Sequence, residues 1–298
     1  MELVASEIDI GTHLPTVLLN GADADELGVH PLDRVQITAD GETTIGIVEV
    51  TDELVAPGTL GVTRRLGHLE GTVELTHAPK PRSVRYVRKK LDDRELEADE
   101  IRAIVRDIGA DRLNDVELSA YVSGVYANGT SDAETTALTE AMADVGERLT
   151  WADSVVADKH SIGGVAGNRV SPVLVAIVAA AGVKIPKTSS RAVTSPAGTA
   201  DTMEVFCDVA FSTDELREIV EETGGCLVWG GAVELSPVDD KIIRAENPLS
   251  LDPTGQLVAS VLSKKYSAGS THVVVDVPYG EGSKVDGHSE ARELADDF

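Results

Sequence analysis

Apolar positions change their spacing twice along the chain. Over residues 1–80 they come in short alternating runs. Turn pairs such as Asn20-Gly21, Asp40-Gly41 and Pro57-Gly58 separate them, the pattern of half-buried strands. Strands are predicted at 17–19, 34–37, 45–50, 61–63 and 72–75, with one short helix at 22–27. Together they predict a small, mostly β, barrel-like domain over 1–80. Pro79 and Pro81 then mark a linker, because closely spaced prolines end helices and central strands. From residue 84 the period lengthens to that of a helix. Ile101, Ile104, Val105 and Ile108 share one face, as do Leu118, Tyr121, Val122, Val125 and Tyr126, then Leu138, Met142, Val145 and Leu149. Asp115 and Ser131 are predicted starts, and Gly109 and Gly129 predicted stops. Residues 84–150 are therefore expected to form a helical domain.

Beyond residue 151, strand and helix patterns alternate. Strands are predicted at 154–157, 183–186, 226–229 and 273–277, and helices at 169–181, 213–223, 256–265 and 290–297. This predicts a mostly parallel sheet with helices on its faces over 151–298, within an α/β multidomain chain. Ligands of such sheets sit beyond the carboxyl ends of the strands. Lys159, Ser189, Trp229 and Lys284 all fall near such ends and are expected to converge. The loop after each of the first two strands is rich in hydroxyls, glycine and positive charge and leads into a helix N-terminus, a setting that suits an anion. Neither loop is a P-loop or a dinucleotide fingerprint. Read singly, the glycines are turn formers and the serines caps. Lys159 and Arg191 in consecutive loops favour phosphate.

Acidic residues number 51 against 26 basic, a formal net charge of −25, which disfavours nucleic acid and anionic membranes as partners. An acidic coat around an ordinary hydrophobic fraction of 42% suggests a high-salt cytoplasm. The basic cluster Arg85, Arg88, Lys89 and Lys90 reads as a solvated face. His13, His30, His68 and His77 show no ligand spacing, so no metal is expected. Cys207 and Cys226 read as reduced core residues. The N-terminus lacks the features of a signal peptide. No run approaches the ~18 apolar residues of a membrane span. A soluble, cytoplasmic protein is expected.

The phrases Asp158-Lys159-His160-Ser161-Ile162-Gly163-Gly164 and Ser190-Arg191-Ala192-Val193-Thr194-Ser195-Pro196-Ala197-Gly198-Thr199 resemble the signature of the thymidine/pyrimidine-nucleoside phosphorylase family, and within it the archaeal AMP phosphorylase branch. Leu251-Asp252-Pro253-Thr254-Gly255-Gln256, Ser260 to Lys265 and Gly282-Ser283-Lys284 follow in family order. The phrase from Leu27 to Val35 also resembles the turn of double-psi barrels. The resemblance implies phosphorolysis of AMP, and of CMP and UMP as further substrates, to free base and ribose 1,5-bisphosphate. Inorganic phosphate is then a co-substrate and no cofactor is needed. It further implies phosphate binding by Lys159, Ser161, Ser171 and Ser189. AMP is contacted by Gly164, Ser190, Arg191, Ala192, Val193, Thr194, Ser195, Thr199, Ser260 and Lys284. Asp252 is the proton donor, Lys264 a base contact, and the helical domain a homodimer interface or part of a larger homo-oligomer.

Two departures from the family bear on these implications. Pyrimidine nucleoside phosphorylases resemble one another in reading the base with Arg, Ser and Lys. Here Ala245 stands at the aligned Arg position, with Arg244 beside it, which favours a nucleoside monophosphate over a free nucleoside. Family members also continue beyond the last predicted helix, so part of the sheet and pocket wall is expected to lie outside residues 1–298. A pyrimidine nucleoside phosphorylase and a non-catalytic, truncated nucleotide-binding protein remain the alternative readings.

Overall fold

Alternation of apolar and polar side chains folds the first part of the chain into a closed six-stranded barrel. Its strands are β1 (Glu2–Ile8), β2 (Thr16–Leu19), β3 (Arg34–Ala39), β4 (Glu42–Val50), β5 (Thr59–Thr63) and β6 (Thr72–His77), in the order β1-β5-β2-β4-β3-β6. Pairs β1–β5 and β2–β4 are parallel, and an antiparallel β1–β6 pair closes the ring. Val17, Leu19, Val35, Ile37, Leu60 and Leu75 fill the centre. Helix α1 (Gly21–Leu27) starts where Asn20 accepts from the Ala22 N–H, and ends at Gly28, whose φ of 73° needs a residue without Cβ. Strand β1 has no counterpart in the sequence expectation. Leu3 is its only fully buried residue, so its periodicity is too weak to register, and pairing on both edges creates it.

This computed structural model describes residues 1–163, 169–189, 191, 198–231, 233 and 235–298. It has two compact units, Met1–Val84 with Ala110–Glu117, and Arg85–Gly109 with Leu118–Phe298. In the first, the buried Arg34 guanidinium donates to the Arg112 carbonyl (3.1 Å) and the Glu117 carboxylate (3.1 Å).

In the second unit, α3 (Ala98–Gly109) packs on α5 (Asp132–Asp144), which runs along α10 (Thr254–Ser267); α2 (Ser83–Leu91) and α4 (Asp115–Asn128) complete the helical part. Ser131 caps α5 in a reciprocal capping box with Glu134, and Gly129, at φ 64°, ends α4. The structure corrects two readings here. Tyr126 points outward, 56% exposed. Lys90, expected on a solvated face, is buried against Glu134, with both carboxylate oxygens 2.8 Å from its ammonium.

The α/β part comprises β7 (Ala157–Ser161), α6 (Val170–Ala180), β8 (Ile185–Ser189), α7 (Thr199–Glu204), α8 (Thr213–Thr223), β9 (Gly225–Trp229), α9 (Pro237–Glu246), α10, β10 (His272–Asp276) and α11 (His288–Asp297). Two parallel pairs, β10–β7 and β8–β9, are joined by a parallel bridge between Val156 and Lys184. Apolar clusters around Leu216, Val220, Val228 and Leu235, and around Ile162, Val258, Val261 and Val285, hold the helices to the strands.

The first two strands of this part begin later than their apolar runs imply. The predicted strand 154–157 is observed as Ala157–Ser161, and 183–186 as Ile185–Ser189. Val155 is exposed, whereas Asp158 and Lys159 are buried. Ion pairing lets charged side chains take inward positions that a hydrophobicity pattern assigns to valine. Cys207 is exposed and only Cys226 is buried; both are free thiols, so the core placement holds for one of the two. No helix among the described residues is long and apolar enough to cross a membrane.

Candidate active site

A cavity of about 400 Å³ opens at the carboxyl ends of β7 and β8. Its lining includes Lys159, Ser161, Ser171, Ser189, Arg191 and Thr199 from the strand ends and the helix starts that follow them. Asp252, Ser260, Lys264 and Lys284 line it as well. Every described residue in the predicted substrate- and phosphate-binding set, and Asp252, thus faces one space. Gly164, Ser190, Ala192, Val193, Thr194 and Ser195 lie outside the described residues. A larger hollow of about 680 Å³ between α5 and α10 shares Asp252, but threonines and apolar side chains dominate its lining. The cations gather in the smaller cavity, which is the candidate site.

Each functional group is placed by a specific element. Parallel pairing sets Asp276 level with Ser161, so the Ser161 hydroxyl donates to Asp276 at 2.7 Å and the Lys159 ammonium sits 2.6 Å from the same carboxylate. Ser171 lies in the first turn of α6 and Thr199 opens α7, both at helix N-termini where N–H groups are unpaired. Arg191 is clamped: Glu204 accepts from it at 2.7 and 2.8 Å, Asp201 at 3.1 Å, and its guanidinium stacks 4.5 Å above the Trp229 ring. Trp229, expected at the pocket, is therefore the platform beneath Arg191. One turn apart on α10, Ser260 and Lys264 are 3.3 Å from each other, with Lys264 also 2.5 Å from Asp239. The ammonium of Lys284 forms an ion pair with Asp252. Gly163, at φ 60°, lets the Lys284 side chain approach, since a Cβ there would overlap the Lys284 Cβ.

The structure adds groups that the sequence reading missed. Lys187, on β8, lines the cavity at 4% exposure, and burial pushes its ammonium down to about 7, with Lys265 adding to the effect and Asp158 opposing it. Glu246, at the end of α9, also faces the cavity. Burial, then Asp239 and Asp252, pushes its carboxyl up to about 7 against the pull of Lys284, and Oε1 has no hydrogen-bond partner among the described residues. His160 is held well below its ordinary value by desolvation and by Lys265, Lys187, Lys264 and Lys159, so it is neutral. Glu246 left no sequence signal, because α9 was not anticipated. Lys187 did: the phrase Lys-x-Ser occurs at 159–161 and again at 187–189.

Residues 84–146 match the helical bundle domain of a glycosyl transferase family, and residues 153–297 match the α/β domain of that family. The chain belongs to this glycosyl transferase family. It is 68% identical over its full length to the AMP phosphorylase of Natronomonas pharaonis, covering 60% of that protein. It is 50% identical to the AMP phosphorylase of Thermococcus kodakarensis, with 95% of this chain and 57% of the relative covered. The chain thus spans about 60% of the length of the curated relatives it matches. Anthranilate phosphoribosyltransferase from Thermus thermophilus has the same fold over 64% of this chain and 57% of its own, with a TM-score of 0.56 at 22% identity.

Proposed function

We propose that the chain forms the phosphate- and nucleotide-binding part of an AMP phosphorylase, which converts AMP and inorganic phosphate to adenine and ribose 1,5-bisphosphate. The observation that carries this reading is the single cavity. Lys159, Ser161, Ser171 and Ser189 bring cationic and hydroxyl groups to it, and Lys284 and Ser260 line the same space. Such an arrangement suits two oxyanions in one cavity, one on either side of a ribose. An attacking phosphate oxygen forms a bond to C1′ while the bond from C1′ to the base nitrogen breaks, its electron pair leaving with the base. The transition state carries positive charge on the sugar and negative charge on the base. Lys159 and the serines hold the attacker in line, and Lys284 anchors the 5′-phosphate. Asp252 is the proton donor to the leaving base. The 5′-phosphate, as it engages Lys284, replaces Asp252 as the partner of that ammonium and releases the Asp252 carboxyl towards the base.

Base reading supports a nucleotide substrate over a free pyrimidine nucleoside. Arg244 is exposed and absent from the cavity lining, so it does not join Ser260 and Lys264 there. CMP and UMP are further substrates under this reading, and the reaction needs no cofactor. The outward-facing Leu91 and Tyr126 on α2 and α4 suit a homodimer contact through the helical part. The acidic composition suits a salt-rich cytoplasm.

Release of adenine from AMP, followed at high salt with and without phosphate, tests the reading. Base appearing only when phosphate is present, with ribose 1,5-bisphosphate as co-product, is the expected result. Base release without phosphate marks a hydrolase, and AMP binding with zero turnover marks a binding protein; either result overturns it.

A further inference from the structure

β7 and β8 end on the same phrase, Lys159-His160-Ser161 and Lys187-Thr188-Ser189. The parallel bridge between Val156 and Lys184 fixes their register, and counting on from it sets Lys159 level with Lys187 and Ser161 level with Ser189. Residues two apart on a strand point to one face, and all four line the cavity. Its floor is therefore a two-by-two array of ammonium and hydroxyl groups.

The lysines of this cavity are not equivalent. Lys159 is paired with Asp276, Lys264 with Asp239 and Lys284 with Asp252. Lys187 has no carboxylate at ion-pair distance among the described residues, and its ammonium donates only to the neighbouring Thr188 carbonyl. A buried cation without a counter-ion is strongly disfavoured. Asp158, the nearest acid on β7, belongs to Lys265, 3.1 Å away. The other groups facing Lys187 bring no negative charge. From β7 come Lys159 and the neutral His160, from α10 Lys264 and Lys265, and from β9 the Cys226 thiol, which burial pushes up to about 12.

We infer that Lys187 is a proton-coupled element of the inorganic phosphate site, taking a proton from solvent onto Nζ as a doubly charged oxyanion enters and serves as its counter-ion. The inference rests on the reading of the β7–β8 end as the phosphate side. The anion supplies the missing counter-charge, and two N–H directions beyond the Thr188 contact are available to its oxygens. Native burial, which pushes the lysine down to about 7, sets the pH range in which this coupling shows.

Sulfate is the suitable probe, because as a dianion without a titrating proton near neutral pH it leaves all proton exchange to the protein. Calorimetric titration of the chain with sulfate, in buffers of different ionisation enthalpy, counts the protons. Uptake of nearly one proton per sulfate is expected near pH 8, falling towards zero near pH 6, since binding restores the full charge of the lysine. In K187M the uptake should vanish and sulfate should bind at least about tenfold more weakly. Uptake that survives in K187M assigns the proton to His160 or Glu246 and overturns the inference. So does an absence of uptake in the unsubstituted chain. Phosphorolysis fails separately, if adenine release proves independent of phosphate while sulfate-linked uptake persists.

Discussion

Substitution of Gly163 by alanine is the sharpest probe of how the site is assembled. The residue sits at φ 60°, where an alanine is strained by about 1 kcal/mol. The added methyl would also overlap the Lys284 Cβ and lie 3.0 Å from its Cγ and Cδ, inside the ~3.5–4.0 Å at which carbons pack. A Cβ cannot swing away as a side-chain tip can, so the turn carrying Lys284 must retreat and its ammonium leaves Asp252. If Lys284 anchors the 5′-phosphate, losing that charge-assisted contact weakens AMP by about 1.5–3 kcal/mol, or roughly 10- to 150-fold in Kd. Calorimetric titration with AMP and adenosine at matched salt reads this directly. AMP should weaken over that range and adenosine by less than about threefold, because adenosine has no 5′-phosphate to lose contact with. Adding K284A to G163A should cost little more, the two acting through one contact. AMP affinity within twofold of the unsubstituted chain, in a G163A protein with unchanged circular dichroism, would refute both the steric argument and the assignment of Lys284.

Glu246 makes a prediction about pH. Its carboxyl stands at about 7 in the folded chain against 4.5 for a free one, so the folded state keeps this proton over that interval while the unfolded state loses it. The contribution of Glu246 to stability is therefore fully present below 4.5 and is lost as pH rises towards 7. E246Q, which cannot ionise, should gain about 2–3 kcal/mol relative to the unsubstituted chain on going from pH 4.5 to 8, measured by urea unfolding at both. An equal difference at both pH values would contradict this. In the helical part, K90M should destabilise by about 3–5 kcal/mol, because Glu134, 3% exposed, keeps its bonds from the Leu96 and Ser131 amides but loses the Lys90 ammonium. The K90M/E134Q double variant should recover part of the loss, and a K90M cost below about 1 kcal/mol would show the pair to be dispensable.

How much of this was legible in the sequence depended on how each residue is buried. The helical faces of α3 and α5 were readable because Ile101, Ile104, Leu138 and Met142 are buried by hydrophobicity alone. Asp158, Lys159 and Lys265 are buried by charge pairing, Lys187 by the strands around it without a carboxylate partner among the described residues, and a hydrophobic pattern discounts such residues. The β7 and β8 boundaries were displaced towards the preceding apolar runs for that reason. The convergence of Lys159, Ser189, Asp252 and Lys284 could be expected from the family resemblance and the strand-end rule together. Lys187 was signalled only by the repeated Lys-x-Ser phrase, whose meaning depends on the β7–β8 register, and Glu246 lies on α9, a helix that the sequence reading did not anticipate. Lys90 shows the same limit: Arg85 and Arg88 of the same run are exposed cations, while its partner is 44 residues away.

The paired lysines of the cavity have a consequence for an acidic chain suited to brine. A bare ammonium in molar salt is occupied by halide, and any incoming ligand must then compete with a vast excess of chloride. Lys159, Lys264 and Lys284 instead carry resident carboxylates, tethered at high local concentration, against which a lone monovalent ion gains little. A ligand with several oxygens on one centre can engage neighbouring lysines and hydroxyls at once, and displaces those tethered partners where chloride does not. Discrimination against the commonest anion in the surroundings is thus built in before any ligand arrives.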